Sequence, residues 1–427
     1  MSKSSIIINA TLIFINIIIL YLLISTISSF FSAYCNADIP SYIDAAKRLY
    51  LEGFRANSIR TFGFPLLLGF PILFGYKTDI ALIHWMIGLN TLFWVLTIML
   101  LSDILSNIQS LKHINRFFIY VMLFSVGHLT LIFQAITEIS YVFFLVLCAW
   151  AFLKFHRSQN NTYLLISFFA LCYSTVIRPT MIYFSIPILI YVLWQLKSKP
   201  IKNTITVLSI YALTIGLQYF IMYKEYKQFQ FTYLADIGLN YYFWMYADEV
   251  AKSGDIAQIS KRWWDRMVVE VVQDYQVPNY DIRTQHMTVM HRLKQSLMEN
   301  PRSYAITFLR NLASNSLGGT TGILQIEDAG YHNLIYKCLF YFSKLYNLIA
   351  VTSTFIFIPA YLFFKKSFLW KNSIFLLCFV VSLWIILISA INSTQGDRYH
   401  IVIYPYIIIC WALIIQEYHD KYHHSKL

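Results

Sequence analysis

Apolar residues along this chain come in long unbroken runs, and the polar residues gather in the gaps between them. A helix needs about 17 to 25 mostly apolar residues to cross a bilayer. Runs of that order lie near 6–29, 79–101, 117–136, 139–155, 162–177, 180–196, 204–223, 342–364, 373–391 and 400–415. The pattern predicts an all-α, polytopic transmembrane helical protein with about ten spans. The run at 162–177 is short, and that at 62–76 is shorter still and broken by Pro71, which predicts an interfacial or re-entrant piece.

Two gaps are long, about 30–64 and 224–341. In the first, Ala45, Ala46, Leu49 and Tyr50 recur at helical spacing, as expected of an amphipathic juxtamembrane helix. In the second, Trp264, Met267, Val268, Val271, Val272 and Tyr275 form one apolar stripe, and Tyr304, Phe308, Leu309 and Leu312 form another between the breaks Asn300-Pro301 and Gly318-Gly319. No alternating series is long enough for a sheet. The expected organisation is a transmembrane module over 1–223 with a first outer loop at 30–64, a helical extracytoplasmic segment over 224–341, and C-terminal transmembrane helices over 342–427. The aromatic run Tyr241 to Tyr246 is expected either to sit in a headgroup-level belt or to line a groove.

Composition agrees: 58% of the 427 residues are hydrophobic and 13% charged, which excludes an ordinary soluble domain. With the N-terminus inside, the short inner loops hold 13 Lys and Arg against 3 acids, while the outer remainder is close to balanced. The net charge of +12 therefore reports membrane orientation and gives no support to nucleic-acid binding. No cleavable signal peptide is expected, so the first span is read as an anchor. Cys148, Cys172, Cys378 and Cys410 fall within spans, whereas Cys35 and Cys338 are both placed where a single bridge is possible.

The expected spans carry no Asp, Glu, Lys or Arg except near their ends, and His84 and His128 are their only ionisable interior candidates. Both histidines read as core residues, since no metal-ligand spacing surrounds them. Ion-coupled transporters usually need charge inside the membrane. Here the polar chemistry collects at one rim: Asp38 after the first span, Glu138 between the third and fourth, Arg178-Pro179 between the fifth and sixth, and Asp397-Arg398 before the last. Such a rim suits sugar transfer from a polyprenyl phosphate, whose leaving group departs as an anion. The acceptor then needs a base, which one loop carboxylate can supply, and arginines can clamp the phosphate oxygens.

Asp38-x-x-x-Tyr42, Arg60-Thr-Phe-Gly-Phe-Pro65, Thr137-Glu138, Arg178-Pro179 and Arg398-Tyr399 occur in an order that resembles the GT-C superfamily of membrane glycosyltransferases. The branch is that of protein O-mannosyltransferases and lipid A aminoarabinose transferases. The chain departs from its pattern in having Ile39 after the acid and Phe62 where proline is common. The resemblance implies inverting transfer from a polyprenyl-phosphate-linked sugar to a hydroxyl on a glycan, lipid or protein, as in building a cell-envelope glycan. Asp38 would be catalytic, and Tyr42, Arg60, Glu138, Arg178 and Arg398 would bind the donor phosphate and substrate. The implied setting is the bacterial plasma (inner) membrane, with both termini cytoplasmic, an extracytoplasmic site, membrane lipids as surroundings and no cofactor.

Competing readings are structural. Asp38 can serve as a solvated acid or helix cap, Asp44 as part of a capping box with Ser41, Glu138 as a cap of its span, and the arginines as headgroup-facing snorkels. Two other functions fit the composition: a flippase or exporter of lipid-linked glycans, and a glycosyltransferase holding a divalent cation on Asp38, Glu138 and Asp397.

Overall fold

The computed structural model describes residues 11, 13–18, 21–22, 38–108, 110–197, 199–252, 254–276, 282–319, 334–392 and 398–424. Among them every regular element is helical. Six helices are long and apolar enough to cross a membrane: Asp79–Ile108, Glu138–Ser158, Pro179–Leu196, Ile201–Tyr226, Lys337–Phe364 and Ile401–Lys421. A seventh arises if Lys112–Leu123 and Val126–Ile132, bent by 50°, are one span.

The expected count of about ten is not reached among the described residues, for physical reasons. Asn161–Ile177 and Ser373–Ser389 are apolar but have only 17 residues each. At 1.5 Å per residue they are about 26 Å long, less than the roughly 30 Å of a bilayer's hydrocarbon. The first expected span, 6–29, falls largely outside the described residues. At the bend of the seventh, the helix stops at Leu123 and restarts at Val126, with Ser125 Oγ 2.8 Å from His128 Nδ1. His128 is buried there with its ring on Trp94, as a core residue would be. His84 is exposed.

Burial ranks the helices. Two-thirds of the apolar window is buried in Glu138–Ser158 and in Ile401–Lys421, which form the centre of the bundle, against 22% in Pro179–Leu196 at its edge. Ile186, Ile190 and Trp194 stay exposed on that edge helix, as a lipid-facing surface requires. Cys148, Cys172, Cys378 and Cys410 are buried within the bundle; Cys338 is exposed and Cys35 lies outside the described residues.

Charge sits at the ends of these helices. One end carries the pairs Lys154–Asp103 and Lys421–Glu417. Glu138 opens the helix that Lys154 closes, and 16 residues at 1.5 Å put it about 24 Å away at the other end, with Asp38, Arg178 and Arg398.

That second end is built by short helices. Ile39–Leu51 buries Ile39, Tyr42, Ile43, Ala45, Ala46 and Leu49 and packs on Gly63–Leu68, which a 3-10 turn over Phe70–Phe74 follows. The piece expected at 62–76 is therefore two short turns, with Leu73 and Phe74 exposed. The glycine of the Arg60-x-x-Gly turn has a clear cause: a Cβ on Gly63 would lie 2.5 Å from the Val176 carbonyl oxygen. Main chain cannot swing aside. Gly63→Ala is expected to destabilise the protein by about 1–3 kcal/mol, read as a lower Tm in detergent, while Gly88→Ala, where a Cβ would meet open space, serves as the neutral control.

The two stripes expected in 224–341 stand only in part. Among the described side chains of Ile256–Gln276 the buried positions are Ile259, Trp263 and the expected Met267, which pack on Tyr241, Met245 and Tyr246, while Trp264 and Val268 point outward; the side chains of Val271, Val272 and Tyr275 lie outside the described residues. The stripe turns by one position because Trp263 both fills that small core and donates its ring N–H to the Tyr241 carbonyl. On Pro301–Leu317 the buried face is a polar seam of Ser303, Thr307, Asn311 and Asn315, with Tyr304, and Leu309 is exposed. Asn311 and Asn315 donate to the carbonyls of Ala390 and Ser389, so the seam satisfies main chain that ends the neighbouring Ser373–Ser389 helix.

Candidate active site

Arg60 is placed by a turn whose local chemistry is legible. Asn57 Oδ1 accepts from the backbone N–H groups of Ile59 and Arg60, both at 3.0 Å, a side-chain closure typical of asparagine. From this turn Arg60 reaches back over the start of Ile39–Leu51. Its Nη2 lies 2.6 Å from Asp38 Oδ1, its Nε donates to Ser41 Oγ at 2.9 Å, and its guanidinium stands 4.2 Å from the Tyr42 ring centroid. Asp38 begins that helix but makes no side-chain cap bond. Asp44 points elsewhere and pairs with Arg48.

Arg398 joins the two acids. Its Nη1 is 2.7 Å from Asp38 Oδ2, and its Nε donates to Glu138 Oε1. Arg178 Nη1 reaches the same Glu138 oxygen at 3.2 Å, and the Arg178 guanidinium stacks 4.8 Å from the Tyr399 ring. Five of the six residues expected at the site, Asp38, Glu138, Arg60, Arg178 and Arg398, form one continuous ion network, and Tyr42 is stacked against it. Asp397 lies outside the described residues. Among the described residues no group of three His, Cys, Asp or Glu could hold a metal ion.

The network is nearly dry. Glu138 is fully buried, Arg60, Arg398 and Arg178 are 7%, 9% and 11% exposed, and Asp38 is 31% exposed. Burial works to raise the Asp38 carboxyl, but the guanidiniums of Arg398 and Arg60 outweigh it and hold that carboxyl well below the usual range. Burial pushes the Tyr42 phenol up, so it stays protonated. Among the described residues, three guanidiniums stand against two carboxylates in a desolvated place, and a bound anion would balance the excess positive charge.

Asp38, Arg60, Arg178 and Arg398 line a cavity of about 560 Å³, within the ordinary range of small-molecule sites. Its flank is apolar and includes Ile182, Tyr183 and the stacked pair Tyr219–Phe229, with Tyr183 and Phe229 largely exposed. Tyr242 lines it too; Tyr241, Trp244, Met245 and Tyr246 pack into the small core beside it, and the Phe243 ring meets that of Tyr304. A further stretch of the wall was not anticipated from the sequence. It is zipped onto the Arg60 turn: Gln218 accepts from the Phe62 N–H at 2.9 Å and donates to the Phe231 carbonyl at 2.7 Å, and Thr232 Oγ1 donates to the Ile59 carbonyl at 3.0 Å. Gln218 carries the one signal that was available, an amide inside an otherwise apolar run.

A π-helical stretch, Gly238–Trp244, carries that wall past Asn392, and a Cβ on Gly238 would lie 2.5 Å from Asn392 Oδ1. Beneath Arg398 runs a buried chain: His400 Nε2 is 2.9 Å from Ser389 Oγ and its Nδ1 2.9 Å from Asn347 Oδ1, which steadies the segment that presents the guanidinium.

The chain matches no family model, no curated protein and no solved structure.

Proposed function

We propose that this protein is an inverting glycosyltransferase of GT-C type, which moves a sugar from a polyprenyl-phosphate donor to a hydroxyl acceptor on the extracytoplasmic side of its membrane. The observation that carries this reading is the wall of Arg60, Arg178 and Arg398, one positive charge in excess of its carboxylates, facing a cavity with an apolar flank at one end of an integral membrane bundle. A polyprenyl phosphate offers the matching halves: a phosphate for the guanidiniums and an isoprenoid chain for the flank.

In the reaction an acceptor hydroxyl oxygen attacks the anomeric carbon, the bond from that carbon to the phosphate oxygen breaks, and its electron pair leaves on the phosphate. Arginines already aimed at that oxygen stabilise the developing charge without reorganising. Asp38 holds two of them in place. Both its oxygens are engaged by guanidiniums, so neither takes the acceptor's proton while both arginines are in place.

Reconstitution separates transfer from flipping. Full-length protein in vesicles made from the producing cell's own lipid extract is expected to consume polyprenyl-phosphate sugars and release polyprenyl phosphate, followed by mass spectrometry. Movement of intact donor between leaflets without release of polyprenyl phosphate would identify a flippase instead.

A further inference from the structure

The resting site leaves the acceptor's proton without a ready taker, because Oδ1 and Oδ2 of Asp38 each face a guanidinium. A second candidate lines the same cavity. His286 lines it, and its Nδ1 is 2.8 Å from Oδ2 of Asp236, whose side chain is 5% exposed. Gln230 Nε2 lies 3.4 Å from the same Nδ1, so the closer carboxylate decides the tautomer: Nδ1 carries the proton and donates it to Asp236. Among the described residues Nε2 has no hydrogen-bond partner. The Tyr233 ring packs edge-on against the imidazole at 6.0 Å and fixes its plane. Asp236 is itself held on the wall by the turn that Thr232 and Tyr233 tie to Ile59 and Ser58.

We propose that His286, oriented by Asp236, is the proton acceptor on the acceptor side of this cavity. This rests on the glycosyltransferase reading and names a residue which that reading did not include. The hydroxyl proton passes to Nε2 as the oxygen bonds to the anomeric carbon, the imidazolium so formed is stabilised by the Asp236 carboxylate, and the proton leaves to water after product release. Arg60, Arg178, Arg398 and Asp38, the other charged groups on the cavity wall, stay with the phosphate. The division is chemical: cations hold the anionic leaving group, and an imidazole nitrogen meets the acceptor hydroxyl.

Substituting His286→Asn tests this, because an asparagine amide can still donate to Asp236 but offers nothing in place of Nε2. With the full chain in vesicles of the producing cell's lipid extract, the variant is expected to release polyprenyl phosphate about 100-fold more slowly, while its stabilisation by added undecaprenyl phosphate is unchanged. Asp236→Asn is expected to cost about tenfold and Asp236→Glu to recover part of it. A wild-type rate in His286→Asn would overturn the proposal. Should that variant fail to fold, wild-type protein treated with diethyl pyrocarbonate decides: transfer must fall in step with carbethoxylation of His286, and transfer that persists after complete modification overturns the proposal. Asp38→Asn keeps the two readings apart. If it is inactive while His286→Asn is normal, only the histidine assignment fails; if it is fully active, the site as a whole fails.

Discussion

Asp38→Asn is expected to insert and fold as the parent protein does and to lose sugar transfer by about 10²- to 10³-fold. Asparagine keeps the shape of the side chain but presents an N–H₂ group to one of two guanidiniums that now have a carboxylate oxygen each, at 2.6 and 2.7 Å. One arginine must turn away, so the cations no longer converge where the leaving oxygen develops charge. The net positive charge of the cluster rises by one, so an anionic lipid should bind at least as tightly. The defect therefore belongs in kcat, with binding of undecaprenyl phosphate retained. Turnover at the wild-type rate would show that the carboxylate has no part in the reaction.

The second large effect is on stability. Glu138 is fully buried and accepts from both Arg178 and Arg398. Removing one partner of a buried ion pair leaves charge with nothing to compensate it, at a cost of about 3–5 kcal/mol. Glu138→Gln should accordingly show a clear fall in Tm in detergent. Because the cost comes from the stranded guanidiniums, Glu138→Gln combined with Arg178→Met should recover part of it. A double variant less stable than the single one would mean that Arg178 is solvated and that the network is not the desolvated cluster described here.

Four of the five members of the network were legible because each marks the end of a helix, while Arg60 comes from a turn. Asp38 precedes Ile39–Leu51, Glu138 opens Glu138–Ser158, Arg178 follows Asn161–Ile177 and Arg398 precedes Ile401–Lys421, so hydrophobic runs locate them without any knowledge of packing. What the sequence hides is contact across distance. Asp236 and His286 are 50 positions apart, and nothing local marks either as a partner of the other. Hydropathy also misleads where a helix buries its polar side. Phe308 and Leu309 stand out in the pattern of Pro301–Leu317, yet Leu309 is exposed and the helix buries Thr307, Asn311 and Asn315 beside Tyr304, because carbonyls at the end of Ser373–Ser389 need donors. The number of spans is less legible: the two 17-residue apolar helices fall at the short end of what a bilayer needs, and the first expected span lies largely outside the described residues.

The most direct measurement is a cryo-electron microscopy structure of the full chain in lipid nanodiscs with undecaprenyl phosphate. The expected result is phosphate density within hydrogen-bonding distance of Arg178 and Arg398, with Asp38 parted from at least one guanidinium and the isoprenoid leaving past Tyr183 and Phe229. Phosphate bound at the Lys154 and Lys421 end of the bundle, or a cavity left empty at saturating lipid, would contradict it.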